Sequence, residues 1–207
     1  PARLRLVANL KDAPASLFNQ GATRLDGRLS GTLTMNGQGG NFNGDGQLQA
    51  VGLRPVTAER REAIDGSITA TLRNGALVIQ GNATNPRGLR ATADARLTVI
   101  TGLSPFRLQV ARTSAINGNF EIGGPVEAVA KLALSRNSTA SGTILARGQL
   151  SGTVASPSVQ GRAELNNAAL RDPSLGVRVT DANAVINFLG PIADIETLTA
   201  SDGRGGK

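Results

Sequence analysis

Without histidine or cysteine, this chain of 207 residues can do chemistry only through carboxylates, hydroxyls, amides and guanidinium groups. Asn41-Phe42-Asn43-Gly44-Asp45-Gly46 has the oxygen donors and glycines of the first half of a calcium loop. Such a loop needs a bidentate acid at its twelfth position. That position is Gly52, and the first is Asn rather than Asp, so the segment is expected to be the polar face of a strand and a turn. Serines are plentiful, but a serine nucleophile needs an adjacent base, and neither a His nor a Ser-x-x-Lys is present. Asp26, Asp65, Asp172 and Asp181 lie beside or close to Gly, Pro or Asn, which predicts turn positions rather than a catalytic pair. No G-x-G-x-x-G follows a strand and opens a helix, so no nucleotide site is indicated. Asn82-Ala-Thr84 and Asn137-Ser-Thr139 match the glycosylation sequon, a weak signal by itself. No catalytic residue, cofactor or metal is expected, and the chain reads as a non-enzyme.

The elements that hold these residues are strands. Ala91, Ala93, Ala95, Leu97 and Val99 are apolar, while Arg90, Thr92, Asp94, Arg96 and Thr98 between them are polar. Successive side chains on a strand point to opposite faces, so this alternation makes one greasy face and one wet face. It recurs at Leu29, Leu33, Met35, at Ile68, Ala70, Leu72, and at Ala184, Ile186, Phe188. Roughly a dozen strands read this way, about 4.8 Å apart in a sheet. Open sheets of that size curl or fold over. The predicted fold is all-β: an elongated, curled antiparallel sheet, a taco-like open groove with an apolar interior and one or two very short helices. Residues 1–207 are expected to form a single such segment.

Composition sharpens the picture. The apolar fraction is 40%, but there is no Trp or Tyr and only five Phe. Aromatic side chains usually dominate core energetics, so a thick core is not expected and small linings leave room. The net charge is +7, carried almost wholly by Arg. The arginines are spread along the chain, which favours a solvated strand face over a nucleic-acid patch. Nucleic-acid platforms also need exposed aromatics, whereas Phe42, Phe106, Phe120 and Phe188 fall on the apolar side of their strands. No signal peptide or transmembrane run is visible. The chain opens on Pro1 and ends in Gly-Arg-Gly-Gly-Lys, and reads as a piece of something longer.

Along the chain, Arg3 to Lys11 is a strand, and Pro14 to Phe18 suits a short helix. Asp26 to Asn36 and Asn41 to Ala50 follow, and Ala58 to Ala63 is at most two helical turns. Gly66 to Arg73 and Ala76 to Thr84 form a hairpin across Asn74-Gly75. Then come Leu89 to Thr101, Phe106 to Thr113, Ile116 to Ile122 and Val126 to Ser135, with Pro105 and Pro125 at strand starts. Leu145 to Val154, Val159 to Asn166, Val177 to Thr180, Asn183 to Phe188 and Asp194 to Ala200 complete the set. Leu25-Asp26-Gly27-Arg28-Leu29-Ser30-Gly31, Ile64-Asp65-Gly66-Ser67-Ile68, Ile116-Asn117-Gly118-Asn119-Phe120 and Gly148-Gln149-Leu150-Ser151-Gly152 resemble one another as degenerate repeats.

The last third carries a resemblance. Gly148-Gln149-Leu150-Ser151-Gly152-Thr153-Val154, Ser156-Pro157-Ser158-Val159-Gln160-Gly161, Gly176-Val177-Arg178-Val179-Thr180-Asp181 and Ala200-Ser201-Asp202-Gly203-Arg204-Gly205-Gly206 resemble the turn-rich C-terminal pattern of the TamB family. This is an AsmA-like group of bacterial envelope proteins. Residues 148–207 resemble it best, and Pro14 to Gly37 is also similar. The resemblance implies a periplasmic segment, tethered to the inner membrane of a Gram-negative bacterium by a part outside this chain. It implies a translocation and assembly module protein in outer-membrane biogenesis, whose hydrophobic β-groove shields phospholipid acyl chains or nascent outer-membrane protein strands. Phospholipid and, through the full-length protein, a TamA-like outer-membrane barrel are the implied partners; nucleic acid and small-molecule substrates are not.

Alternation names the residues expected to line the groove. They are Leu29 and Leu33, then Ile68, Leu72, Leu77 and Ile79, then Leu97, Val99 and Leu108, then Phe120, Leu132 and Leu150, and finally Ile186 and Phe188. The competing architecture is a closed sandwich in which these residues pack on one another. The competing function is a structural β-solenoid of an adhesin or autotransporter passenger.

Overall fold

The computed structural model describes residues 3–18, 25–39, 41–55, 63–103, 106–128, 138–173 and 176–201. The strands are β1 (Arg3–Pro14), β2 (Leu25–Gln38), β3 (Asn41–Pro55), β4 (Ile64–Arg73), β5 (Ala76–Thr84) and β6 (Arg90–Leu103). After these come β7 (Phe106–Val110), β8 (Ile116–Pro125), β9 (Thr139–Thr153), β10 (Ser156–Asp172), β11 (Val177–Leu189) and β12 (Ile192–Ser201). They form one twelve-stranded antiparallel sheet in the order β1-β2-β3-β4-β5-β6-β8-β9-β10-β11-β12, with β7 paired to β6. Each strand on this path pairs with the one before it, and β1, β12 and β7 each have a strand on one side only. It is an open curled sheet, not a closed barrel or a two-sheet sandwich.

Turn chemistry sets the hairpins. Asn74 and Gly75 both have positive φ, 49° and 76°, the mirror-image turn whose twist matches the flanking strands. Arg73 and Ala76 pair directly across it. Gln38 and Asn41 close the β2–β3 hairpin, with Gly39 at φ 61°.

The long strands are bulged near one end. Register shifts fall between Leu10 and Ala13, Asp26 and Arg28, and Ala50 and Leu53, and again between Asn166 and Ala169 and between Thr180 and Asn183. Asp12, Asn167 and Asp181 adopt positive φ there, as short polar residues tolerate. Bulges bend a strand and raise its twist, so a line of them across neighbouring strands curls the sheet. The aspartates expected in turns lie in strands instead. Asp26 and Asp65 flank the bulges, where Asp65 Oδ1 accepts the Gly52 N–H at 2.7 Å. Asp181 is itself bulged, so Val177 to Phe188 is one strand rather than two. Asp172 is 3% exposed and accepts the Ser138 hydroxyl at 2.6 Å.

Other elements differ at their ends. The expected short helix is a 3-10 turn at Ala15–Phe18. Pro125 ends β8 opposite Thr143 rather than opening a strand. Val126 to Ala128 are helical, not extended. The rest of the Val126–Ser135 strand, the helical turns proposed from Ala58, Pro105 and the side chain of Phe106 lie outside the described residues. Asn41 to Gly46 is straight strand within β3, with Asp45 paired to Arg73 at 2.8 Å.

Candidate apolar groove

Cross-strand partners share a face, so the register can be followed across the sheet. One row runs Leu6, Met35, Gly44, Leu72, Leu77, Leu97, Ile116. A second runs Leu10, Gly31, Leu48, Ile68, Gly81, Ala93, Phe120, Gly148, Gly161, Phe188, Ala193. A third runs Leu29, Ala50, Gly66, Ala83, Ala91, Ile122, Ala146, Ala163, Ile186, Ile195. No polar side chain interrupts these rows. The apolar face is continuous from β1 to β12.

The expected lining residues sit on this face, with Leu132 outside the described residues. They divide into three kinds. Leu29, Leu72 and Val99 are buried. Val99 joins Met35, Phe42 and Leu72 in a small core, with Leu4, Leu77 and Leu97 packed against it. Leu33, Ile68 and Leu108 are exposed, Ile68 by 47% and Leu108 by 44%. Ile79, Phe120, Leu150, Ile186 and Phe188 are half-buried. A closed sandwich would bury all of them.

One strand pair does fold over the face. Beyond Thr98, β6 leaves β5 and β8 and pairs with β7, Val99 opposite Val110 and Thr101 opposite Leu108. This ribbon brings Leu108 and Val110 to the same apolar pocket as Leu33, Met35, Ala70 and Leu72, a half-open cleft of about 360 Å³. Gly44 and Gly46 form its floor. Met35 and Val110 were missing from the sequence-derived lining. Alternation places Met35 on the face but not under the ribbon, and nothing local signals that β7 turns back.

A larger concavity lies on the opposite face, which sequence reasoning did not expect. It measures about 1020 Å³ and spans β4 to β10. Its axis is a row of polar partners, Thr69, Gln80, Asp94, Asn119, Gln149 and Gln160. A twisted sheet is saddle-shaped, so each face is concave along one diagonal. Alternation assigns side chains to faces but carries no information on curvature.

Several arginines among the described residues have carboxylate partners. Arg54 pairs with Asp26 at 2.7 Å, Arg87 with Glu127 at 2.8 Å and Arg147 with Glu121 at 2.9 Å. Arg28 is bonded to Asp12. The Arg28 hydrogen bond holds the Asp12 carboxyl below the usual aspartate range. Arg54, then the Gly27 N–H, does the same for Asp26. Asn187, then Arg162, lowers Glu196. All are exposed, so each pair adds little to stability.

Comparison with known proteins returns no match among family models, curated proteins or solved structures. The chain's own geometry therefore carries any functional reading.

Proposed function

We propose that this chain is a non-enzymatic segment of a TamB-like envelope protein, whose apolar face shields acyl chains of phospholipid, or nascent outer-membrane protein strands, in outer-membrane biogenesis. One observation supports the reading above the others. An apolar face continuous over eleven strands keeps large side chains such as Ile68 and Leu108 about half exposed among the described residues, although the β6–β7 ribbon folds over part of it. Contiguous exposed apolar surface of this extent marks an interaction site or a hydrophobic cargo. Each methylene withdrawn from water stabilises a bound acyl chain by about 0.8 kcal/mol. The small residues of the third row leave space over the sheet. In this reading the chain works in the periplasm, tethered to the inner membrane through a part outside this sequence, with a TamA-like barrel reached through the full-length protein.

Native mass spectrometry of the purified chain, with extraction of co-purified lipid, tests this. Bound phospholipid that is lost in Leu33→Asp and Ile68→Asp, with the fold retained by circular dichroism, is the expected result. A lipid-free mass in the presence of added phospholipid, together with slow amide exchange throughout the apolar strands, overturns it.

A further inference from the structure

Two arginine pairs stand directly opposite each other across neighbouring strands, and they differ in one respect. Arg147 faces Arg162 across β9 and β10. Each has a carboxylate: Glu121 for Arg147, and Glu164 and Glu196 for Arg162. Arg171 faces Arg178 across β10 and β11. Both are exposed, and neither makes an ion pair or hydrogen bond with another of the described residues. Like charges directly opposite on a sheet repel, and here no carboxylate among the described residues pairs with them.

The surroundings complete a site. Thr139 is the partner of Arg171 on β9, and Ser141 lies two residues on along the same face. With Thr180 they line a depression of about 210 Å³. The Thr180 hydroxyl donates to the Ser201 carbonyl at 3.3 Å, whereas the Thr139 and Ser141 hydroxyls make no hydrogen bond with another described residue. The nearest acids in sequence do not intrude. Asp172 points to the apolar side and is buried on Ser138, and Asp181 makes no ion pair with either arginine.

We propose that Arg171 and Arg178, with the Thr139 and Ser141 hydroxyls, bind a phosphate oxyanion at this end of the polar face. Guanidinium forks match the oxygens of a phosphate and make short charge-assisted hydrogen bonds. Two free forks plus two hydroxyl donors satisfy a tetrahedral anion and relieve the repulsion between the arginines. A carboxylate-matched pair such as Arg147 and Arg162 has no such vacancy. The assignment goes beyond the acyl-chain reading and stands whether or not that reading holds.

The test follows the arginine side-chain N–H signals of the intact chain by NMR while inorganic phosphate is added. Three proteins are compared: the parent, Arg171→Gln/Arg178→Gln, and Arg90→Gln/Arg96→Gln, which loses the same charge from exposed arginines elsewhere on that face. Saturating shifts at Arg171 and Arg178, unchanged in the second variant and weakened about tenfold or more in the first, are expected from the loss of charge-assisted bonds. A parallel arm uses phosphatidylcholine vesicles with and without phosphatidylglycerol. Sedimentation with anionic vesicles that only Arg171→Gln/Arg178→Gln loses identifies a lipid headgroup as the source. Phosphate binding without that vesicle dependence identifies a soluble phosphate compound. Shifts spread evenly over all arginines, or equal losses in both variants, show general attraction to a basic chain and overturn the site.

Discussion

Phe120 on β8 lies directly opposite Gly148 on β9, and its ring occupies the space a side chain at residue 148 would need. A Cβ there would sit 2.6 Å from Phe120 Cζ and 2.5 Å from the Gln160 carbonyl oxygen. The glycine lets an aromatic ring lie flat along the apolar face and keeps that face low. Gly37 has the same relation to Phe42, whose Cδ1 would be 2.5 Å away.

Gly148→Ala is therefore expected to destabilise the fold by about 1–3 kcal/mol, the usual cost of overpacking. Gly46→Ala is the control. Its Cβ would meet Leu33 Cδ1 at 3.6 Å, an ordinary contact, and alanine loses less entropy than glycine, so a gain of about 0.5–1 kcal/mol is expected. Urea denaturation of both variants reads the difference.

The β4–β5 turn gives a second test. Gly75 has φ 76°, and a Cβ on it would meet the Val99 carbonyl oxygen at 3.2 Å, an atom of the segment that folds over the apolar face. Gly75→Ala should cost about 1–2 kcal/mol through the left-handed backbone alone. Asn74→Gly should be close to neutral, because Gly also suits that turn position. Thermal melts of the two variants should separate by several degrees, with the alanine variant lower.

How much was legible in the sequence follows from what each signal encodes. Alternation alone placed Ile68, Phe120 and Ile186 on one face, because strand period fixes sidedness regardless of partner. Asn74-Gly75 fixed a hairpin because both positions need positive φ. Bulges were not legible. Asp181 reads as a break between two strands because nothing local says the chain bulges and continues. Curvature was hidden as well, so the polar concavity along Gln80, Asn119 and Gln149 went unforeseen. Pairing was hidden in the same way, which is why the uncompensated Arg171 and Arg178 look like two more scattered arginines until β10 and β11 are set side by side.

Acid should loosen the fold in a defined direction. Asp12, Asp26 and Glu196 have folded-state pKa values below their ordinary values of 3.8, 3.8 and 4.5. A depressed carboxyl stabilises fully above its unfolded value, and that contribution is lost as pH falls through the folded one. Stability is thus expected to be flat in these groups above about pH 5 and to decline below the ordinary carboxylate range. Arg28→Gln and Arg54→Gln should each shrink the decline, because they remove the hydrogen bonds that lower Asp12 and Asp26. High salt should shrink it as well, since exposed pairs are screened. Urea midpoints measured across the acid range check this, and an unchanged acid limb in both variants refutes it.

The division of the apolar face into buried and exposed residues predicts that stability and cargo binding separate. Phe42 is fully buried in the small core beside Met35, Leu72 and Val99. Truncating it leaves a cavity, and Phe42→Ala should cost about 3–5 kcal/mol. Ile68 lies on the same face but is half exposed, so Ile68→Ser should cost only about 1 kcal/mol. If the exposed apolar residues exist to hold acyl chains, the order reverses for lipid. Ile68→Ser should lower the amount of co-purified phospholipid more than its small stability loss explains, while Phe42→Ala, assayed below its melting range, should retain lipid for as long as it stays folded. Lipid retained in proportion to stability in both variants would place the binding elsewhere on the sheet.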